Sequence, residues 1–307
     1  MKKRIQNRLA ESRFAFPVMI IYGLAVWQGA GTVAEGAYLQ LVFFVASTLL
    51  MMMLNNTNSL IRIYSRMVSC SFVAMTCAAT FLFSSLESCA TGMCFILFYL
   101  SLLRSYQDKR APGIAFYSFA CLGIASLFFV QILYFVPFLW ILMASNMMAL
   151  THRMFWATVL GLVMPYWFAV GYYVVTNQFD AFIDHFAELA QFEPLLQYEA
   201  LDIHRIATFG LVVLLAVIGI IHYMRNSYLD KIRTRMIFEM FITVDILSFV
   251  FIILQPQHFD NLLPIIIVNT SCLFAHYVAL TRTWLTNVTF IVMCLATLGL
   301  TIFNLMP

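Results

Sequence analysis

Residues Gly113 to Leu150 read GIAFYSFACLGIASLFFVQILYFVPFLWILMASNMMAL, with no Asp, Glu, Lys, Arg or His among them. Whether this tract crosses a bilayer once or twice decides how the whole chain is threaded, and charge makes the decision. Lys and Arg collect in the cytoplasmic loops of membrane proteins. Read as two spans, near 113–130 and 133–150, the tract leaves Lys2, Lys3, Arg4, Arg8, Arg13, Arg62, Arg66, Arg104, Lys109, Arg110, Arg153, Arg225, Lys231, Arg233, Arg235 and Arg282 on one side, and Arg205 is the sole exception among 17 Lys and Arg. Read as one span, it throws Arg225 to Arg235 outside and brings the acidic 177–205 stretch inside. The same test divides the apolar tract 68–104 at Leu86-Glu87-Ser88 into two spans.

Working outward, stretches long enough to cross a bilayer recur near 14–30, 37–54, 68–85, 88–104, 155–176, 206–224, 236–254, 262–280 and 287–306. The expected architecture is all-α: a polytopic transmembrane helix bundle of about eleven spans, N-terminus cytoplasmic and C-terminus outside, forming one integral membrane domain over 1–307. Composition agrees. Of the 307 residues 63% are hydrophobic and 10% charged, with a mean hydropathy of +0.90, where a soluble domain is closer to a quarter charged. The solvent for most of this surface is lipid. A net charge of +3 is too small to point to nucleic acid. Phe occurs 30 times and Met 18, which suits lipid contact and interhelical packing.

The expected inner loops (55–67, 105–112, 151–154, 225–235 and 281–286) are too short to house a nucleotide-binding domain, and no Gly-rich phosphate loop is present. Seven cysteines show no C-x-x-C and no ligand spacing with His, so they read as small hydrophobes, with no metal and no cofactor expected. The basic segment before the first apolar stretch admits a signal peptide, with Gly29-Ala30-Gly31 as a passable cleavage site. The length of the stretch favours an uncleaved anchor.

The one long connection, 177–205, is expected outside. Phe179, Phe182, Ile183, Phe186 and Ala190 recur at helical spacing, with Asp180, Asp184, His185, Glu188 and Gln191 on the opposite face. This predicts an amphipathic helix in the outer interface, ended by Pro194 and followed by a short segment from Leu195 to His204. It serves either as a collar capping the bundle or as a lid over an outward-facing cavity.

Ionisable residues at membrane depth are costly and so are functional candidates. Asp245 falls near the centre of span 236–254, and Glu239 near its cytoplasmic end. If this span and 262–280 form an antiparallel hairpin, residues whose numbers total about 516 share a depth. That levels Asp245 with Ser271, near Asn269 and Thr270, and Glu239 with Tyr277, next to His276. Two polar layers are therefore expected: Asp245, Asn269 and Ser271 at mid-membrane, and a Glu239/His276 pair towards the inside. Interhelical stitching is the plain alternative to a proton, cation or substrate site.

The segments Tyr134-Phe-Val-Pro-Phe-Leu-Trp140, Thr151-His-Arg153 and Leu160-Gly-Leu-Val-Met-Pro165, with the N-terminal Arg8-Leu-Ala-Glu-Ser-Arg13, resemble a pattern in a family of polytopic inner-membrane proteins of Bacteroidota. The pattern is an aromatic-Pro helix, a short basic turn and a Gly-x-x-x-Pro helix, and it covers about half of the chain. The resemblance implies a multi-pass protein of the bacterial inner membrane and brings no activity with it.

Three function classes fit the sequence. The first is a transferase or polymerase handling a lipid-linked glycan at the outer face. There Arg205, beside His204, would bind phosphate through its planar fork, and Asp202, Asp180 or Asp184 would act as base or orient an acceptor hydroxyl. An internal pairing of Arg205 with Asp202 or another loop carboxylate is the alternative for that residue. The second class is a transporter or flippase with an intramembrane Asp245 site. The third is a non-catalytic subunit of a membrane complex. The expected partners are membrane lipids, then a lipid-linked substrate or other membrane subunits.

Overall fold

The computed structural model describes residues 4–191 and 201–306. Among these, the regular structure is helical throughout. The helices are α1 (Ile5–Ala10), α2 (Ala15–Gly29), α3 (Tyr38–Asn58), α4 (Met67–Ala78), α5 (Leu86–Leu102), α6 (Pro112–Phe128), α7 (Val136–Ser145), α8 (His152–Val175), α9 (Phe179–Ala187), α10 (Ile203–Asn226), α11 (Ile232–Leu254), α12 (Phe259–Leu280) and α13 (Trp284–Leu305). Seven helical stretches are long and apolar enough to cross a membrane, those built on α3, α5, α8, α10, α11, α12 and α13. The chain is a multi-pass membrane protein. Shorter apolar helices make up Ala15–Gly29, Met67–Ala78, Pro112–Phe128 and Val130–Ser145.

The decisive tract folds as two helices, each shorter than the seven of span length. α6 stops at Phe128, a 3-10 turn spans Val130–Phe135, and α7 follows with Pro137 in its first turn, where a missing N–H costs no hydrogen bond. The span expected at 68–85 is broken. α4 ends at Ala78, and a 3-10 turn covers Thr80–Ser84. No Gly or Pro marks this break. The carbonyl of Ala78 accepts from Asn304 Nδ2 at 2.6 Å and Thr208 Oγ1 at 3.5 Å. Side chains of α13 and α10 thus satisfy a backbone group that lipid could not.

α12 is the axis of the bundle, packed on by α4, α5, α10, α11 and the short α1. Close approach comes from missing side chains: a Cβ on Gly161 of α8 would lie 2.3 Å from the Phe116 carbonyl oxygen of α6. Gly161 therefore serves helix packing, as does Gly123 of α6, where a Cβ would lie 2.5 Å from the Leu162 carbonyl oxygen and 3.0 Å from Pro165 Cγ, since small residues let backbones meet in lipid.

Contacts segregate the two ends of the bundle. At one end Arg4 reaches the Arg282 carbonyl, Arg62 the Leu229 carbonyl, and Arg233 both Asn58 and the Leu103 carbonyl. At the other, Thr80 bonds the Asn304 carbonyl, Ser88 bonds Asn261, and Arg205 pairs with Asp260.

The amphipathic segment is shorter than expected. α9 ends at Ala187, followed by a 3-10 turn at Glu188–Ala190. Pro194 and the segment from Leu195 to Ala200 lie outside the described residues. Phe182 and Phe186 pack against Tyr166 of α8, His185 Nε2 lies 3.0 Å from the Ser126 carbonyl, and Tyr134 donates to the Leu189 carbonyl. The segment is therefore fastened to its own bundle.

Candidate functional site

The polar groups of interest lie along α12 and at its two ends. At mid-helix, Asp245 of α11 is fully buried and accepts from Thr270 Oγ1 at 3.1 and 3.4 Å. The antiparallel register holds, but the partner is Thr270. Asn269 turns to α5, accepting from Tyr99 Oη at 2.7 Å and donating to the Ile265 carbonyl at 3.0 Å. Ser271 donates to the Ile267 carbonyl on its own helix and lies 3.8 Å from Met75 Sδ. The expected mid-membrane trio is thus three separate contacts. Consecutive residues on a helix point about 100° apart, so neighbours at one depth face different helices.

The expected Glu239/His276 pair is corrected for the same reason. Phe238 faces His276, ring centroids 5.0 Å apart, which turns Glu239 away to accept from Asn146 Nδ2 at 3.1 Å. The carboxylate on His276 is Asp230, from the turn between α10 and α11, at 2.9 Å from Nε2. Arg62 Nε stands 3.8 Å from the other Asp230 oxygen. His222 of α10 lies beside His276, ring centroids 5.4 Å apart.

At the opposite end, Arg205 is bidentate to Asp260 in the first turn of α12, both N–O distances 2.9 Å, and its guanidinium lies 5.2 Å from the Phe81 ring centroid. The planar fork is thus engaged by a carboxylate of the protein. Asp202 caps α10, accepting from the Ile203 amide at 2.7 Å. His204 stacks on Phe303 and meets Asn304 Oδ1 at 2.9 Å. Asp180 and Asp184 are exposed on α9, which packs on α8, while α10 packs on α12 and α13. No hydrogen bond or ion pair among the described residues joins Asp180 or Asp184 to Asp202, His204 or Arg205. The expected outer-face base and phosphate ligands are therefore not assembled into one constellation.

An apolar groove of about 350 Å³ runs between the 130–145 segment and α11, lined by Tyr134, Phe135, Phe138, Leu247, Val250, Phe251, Leu254 and Gln255. Gln255 in its lining opens the short connection Pro256–His258 that leads into α12. His258 in that turn makes ring contacts with Phe129 and Phe251, centroids 5.5 and 5.8 Å apart. Two residues on, Asp260 holds Arg205. This turn was legible as a polar interruption between two apolar runs, yet nothing in the sequence ties it to a groove. Asp230 and His222 carried no comparable signal, lying in a loop and at a helix end where polar residues are ordinary.

Among the described residues no group of three His, Cys, Asp or Glu is placed to hold a metal ion. The seven cysteines are free thiols, four of them buried. No family, curated protein or solved structure matches the chain.

Proposed function

We propose that this chain crosses a bacterial inner membrane eleven times, N-terminus inside and C-terminus outside, and handles a lipid-linked glycan at the outer face as a transferase or polymerase. The observation that carries this reading is the groove between the 130–145 segment and α11, apolar along its length and lined beyond Leu254 by Gln255, from which the chain turns through His258 to Asp260. A lipid carrier has the same order of chemistry, a hydrocarbon chain and then a polar headgroup. Pockets for such ligands are mostly apolar with a few polar groups that fix orientation. The headgroup would lie against Gln255, His258 and the Arg205–Asp260 pair. Arg205 then acts by positioning the turn through Asp260 rather than by gripping phosphate with both of its bonded nitrogens. The one-sided distribution of Lys and Arg supports the orientation, and it places the 255–260 turn outside.

Filling the groove tests the reading. Leu247→Trp and Val250→Trp add bulk where the carrier chain would lie and leave the polar turn intact. Normal protein abundance, a severalfold accumulation of lipid-linked glycan in cells, and loss of the lipid that copurifies with the wild-type protein are expected. Wild-type glycan pools in both variants at normal abundance would overturn the proposal.

A further inference from the structure

We propose that the cleft between the α1–α2 connection and the loop after α3 binds the headgroup of an anionic phospholipid, with Arg13 and Arg66 on its phosphate. The cleft lies at the basic end of the bundle, so the reading does not depend on the groove lined by Gln255.

Both walls are fixed by the fold itself. On one side the short α1 is fastened to the end of α12: Gln6 Nε2 donates to the Val278 carbonyl at 2.7 Å, and Asn7 Nδ2 to the Thr281 carbonyl at 2.9 Å. The chain then turns at Ser12, whose hydroxyl oxygen accepts from the Phe14 amide at 3.2 Å and holds Arg13 between them. On the other side Asn55, buried near the end of α3, secures the loop. Its Oδ1 accepts from the Ile61 amide at 3.3 Å, and its Nδ2 donates to the Ser65 carbonyl at 3.0 Å. Between the walls is a cleft of about 750 Å³ lined by Glu11, Arg13, Ile63 and Tyr64.

Exposed arginines at this end of a membrane protein are ordinary, and charge alone calls for no ligand. These two differ in their partners. Arg13 is exposed and has no hydrogen-bond or ion-pair partner among the described residues. Arg66 donates from Nε to Tyr64 Oη at 3.3 Å and from Nη1 to Asn56 Oδ1 at 3.2 Å, and its guanidinium lies 5.2 Å from the Tyr64 ring centroid. All three contacts are with neutral groups, so its charge is left uncompensated. Tyr64 lines the cleft and carries Arg66 at its side. Among the described residues Glu11 is the one carboxylate in the lining, and it already has a partner. Set against two arginines, it leaves one positive charge. A phosphodiester supplies one negative charge, and its two free oxygens suit guanidinium donors.

What adjoins the cleft decides the source of the phosphate. Phe14, Val18 and Ile21, all exposed, follow Arg13 at helical spacing and lead along α2 away from the cleft. Hydrocarbon chains joined to the phosphate have that surface to lie on, and a free phosphate has no use for it. Basic side chains beside a membrane-embedded helix draw anionic lipids by the same attraction.

The test uses full-length protein in detergent micelles containing equal amounts of phosphatidylglycerol and phosphatidylethanolamine, with the lipid that stays bound through gel filtration counted by mass spectrometry. Wild-type protein should retain phosphatidylglycerol severalfold in preference. Arg13→Gln and Arg66→Gln should each remove most of that preference. Arg153→Gln, which takes an exposed arginine from the first turn of α8, should leave it unchanged. Arg13 makes no polar contact that the fold needs, so Arg13→Gln decides the matter alone where Arg66→Gln does not insert. Inorganic phosphate, matched in ionic strength by chloride, should not displace the lipid. An unchanged preference in Arg13→Gln, an equal loss in Arg153→Gln, or displacement by phosphate but not by chloride would overturn the proposal.

Discussion

α12 and α13 are neighbours in sequence, both 22 residues long and both apolar, yet 94% of the spanning part of the first is buried and 17% of the second. Hydropathy does not separate them, because lipid tails are as apolar as a Leu-rich core. Polar content does. α12 carries Asn269, Thr270 and His276, which meet Tyr99, Asp245 and Asp230 on other segments. In the middle of α13, Thr297 spends its hydroxyl on the Met293 carbonyl of its own helix. Towards its ends α13 does reach other segments, Asn287 meeting Gln6, Thr289 meeting Tyr277 and Asn304 meeting Ala78, so the contrast lies at mid-helix, where the side chains of α12 find distant partners and α13 is left facing lipid.

The comparison can be broken most forcefully by cutting an apolar side chain from each helix. Leu273 is fully buried against the backbone opposite Gly219, and Leu273→Ala should cost roughly 2–3 kcal/mol by leaving a cavity. Leu295 is 64% exposed, and Leu295→Ala should cost less than about 0.5 kcal/mol, since lipid replaces what is lost. Reversible unfolding in mixed micelles measures both, and equal losses would remove the distinction.

A smaller effect sharpens it. Thr270→Val takes away the hydroxyl donor to Asp245 and should cost about 1 kcal/mol, within the range of interhelical hydrogen bonds in membranes. Thr297→Val loses a bond within one helix and should be close to silent in the same assay.

Register along the helix pair was legible in the sequence, and direction around each helix was not. The antiparallel register of α11 and α12 set Asp245 within one residue of its partner, because rise per residue is fixed. Facing depends on how helices rotate as they pack, and that is where the expectations gave way: Glu239 meets Asn146, His276 meets Asp230, and Arg205 meets Asp260. The break after Ala78 was illegible for a related reason. The groups that satisfy its carbonyl, Asn304 and Thr208, are distant in sequence. The apolar groove combines two segments about a hundred residues apart, and only its polar turn left a local trace.

The eleven-crossing thread with its outer turn at 255–260 is the claim on which the functional reading stands. Its most direct test is labelling of single-cysteine variants, in a chain otherwise free of cysteine, with a membrane-impermeant thiol reagent on intact cells. The probe positions are exposed in the structure: Ser59, Gln107 and Tyr228 at the basic end, Gln191 and Gln257 at the other. The account predicts that Gln191→Cys and Gln257→Cys label in intact cells, while Ser59→Cys, Gln107→Cys and Tyr228→Cys label only after the cells are opened. Labelling of Tyr228→Cys together with protection of Gln257→Cys would contradict it.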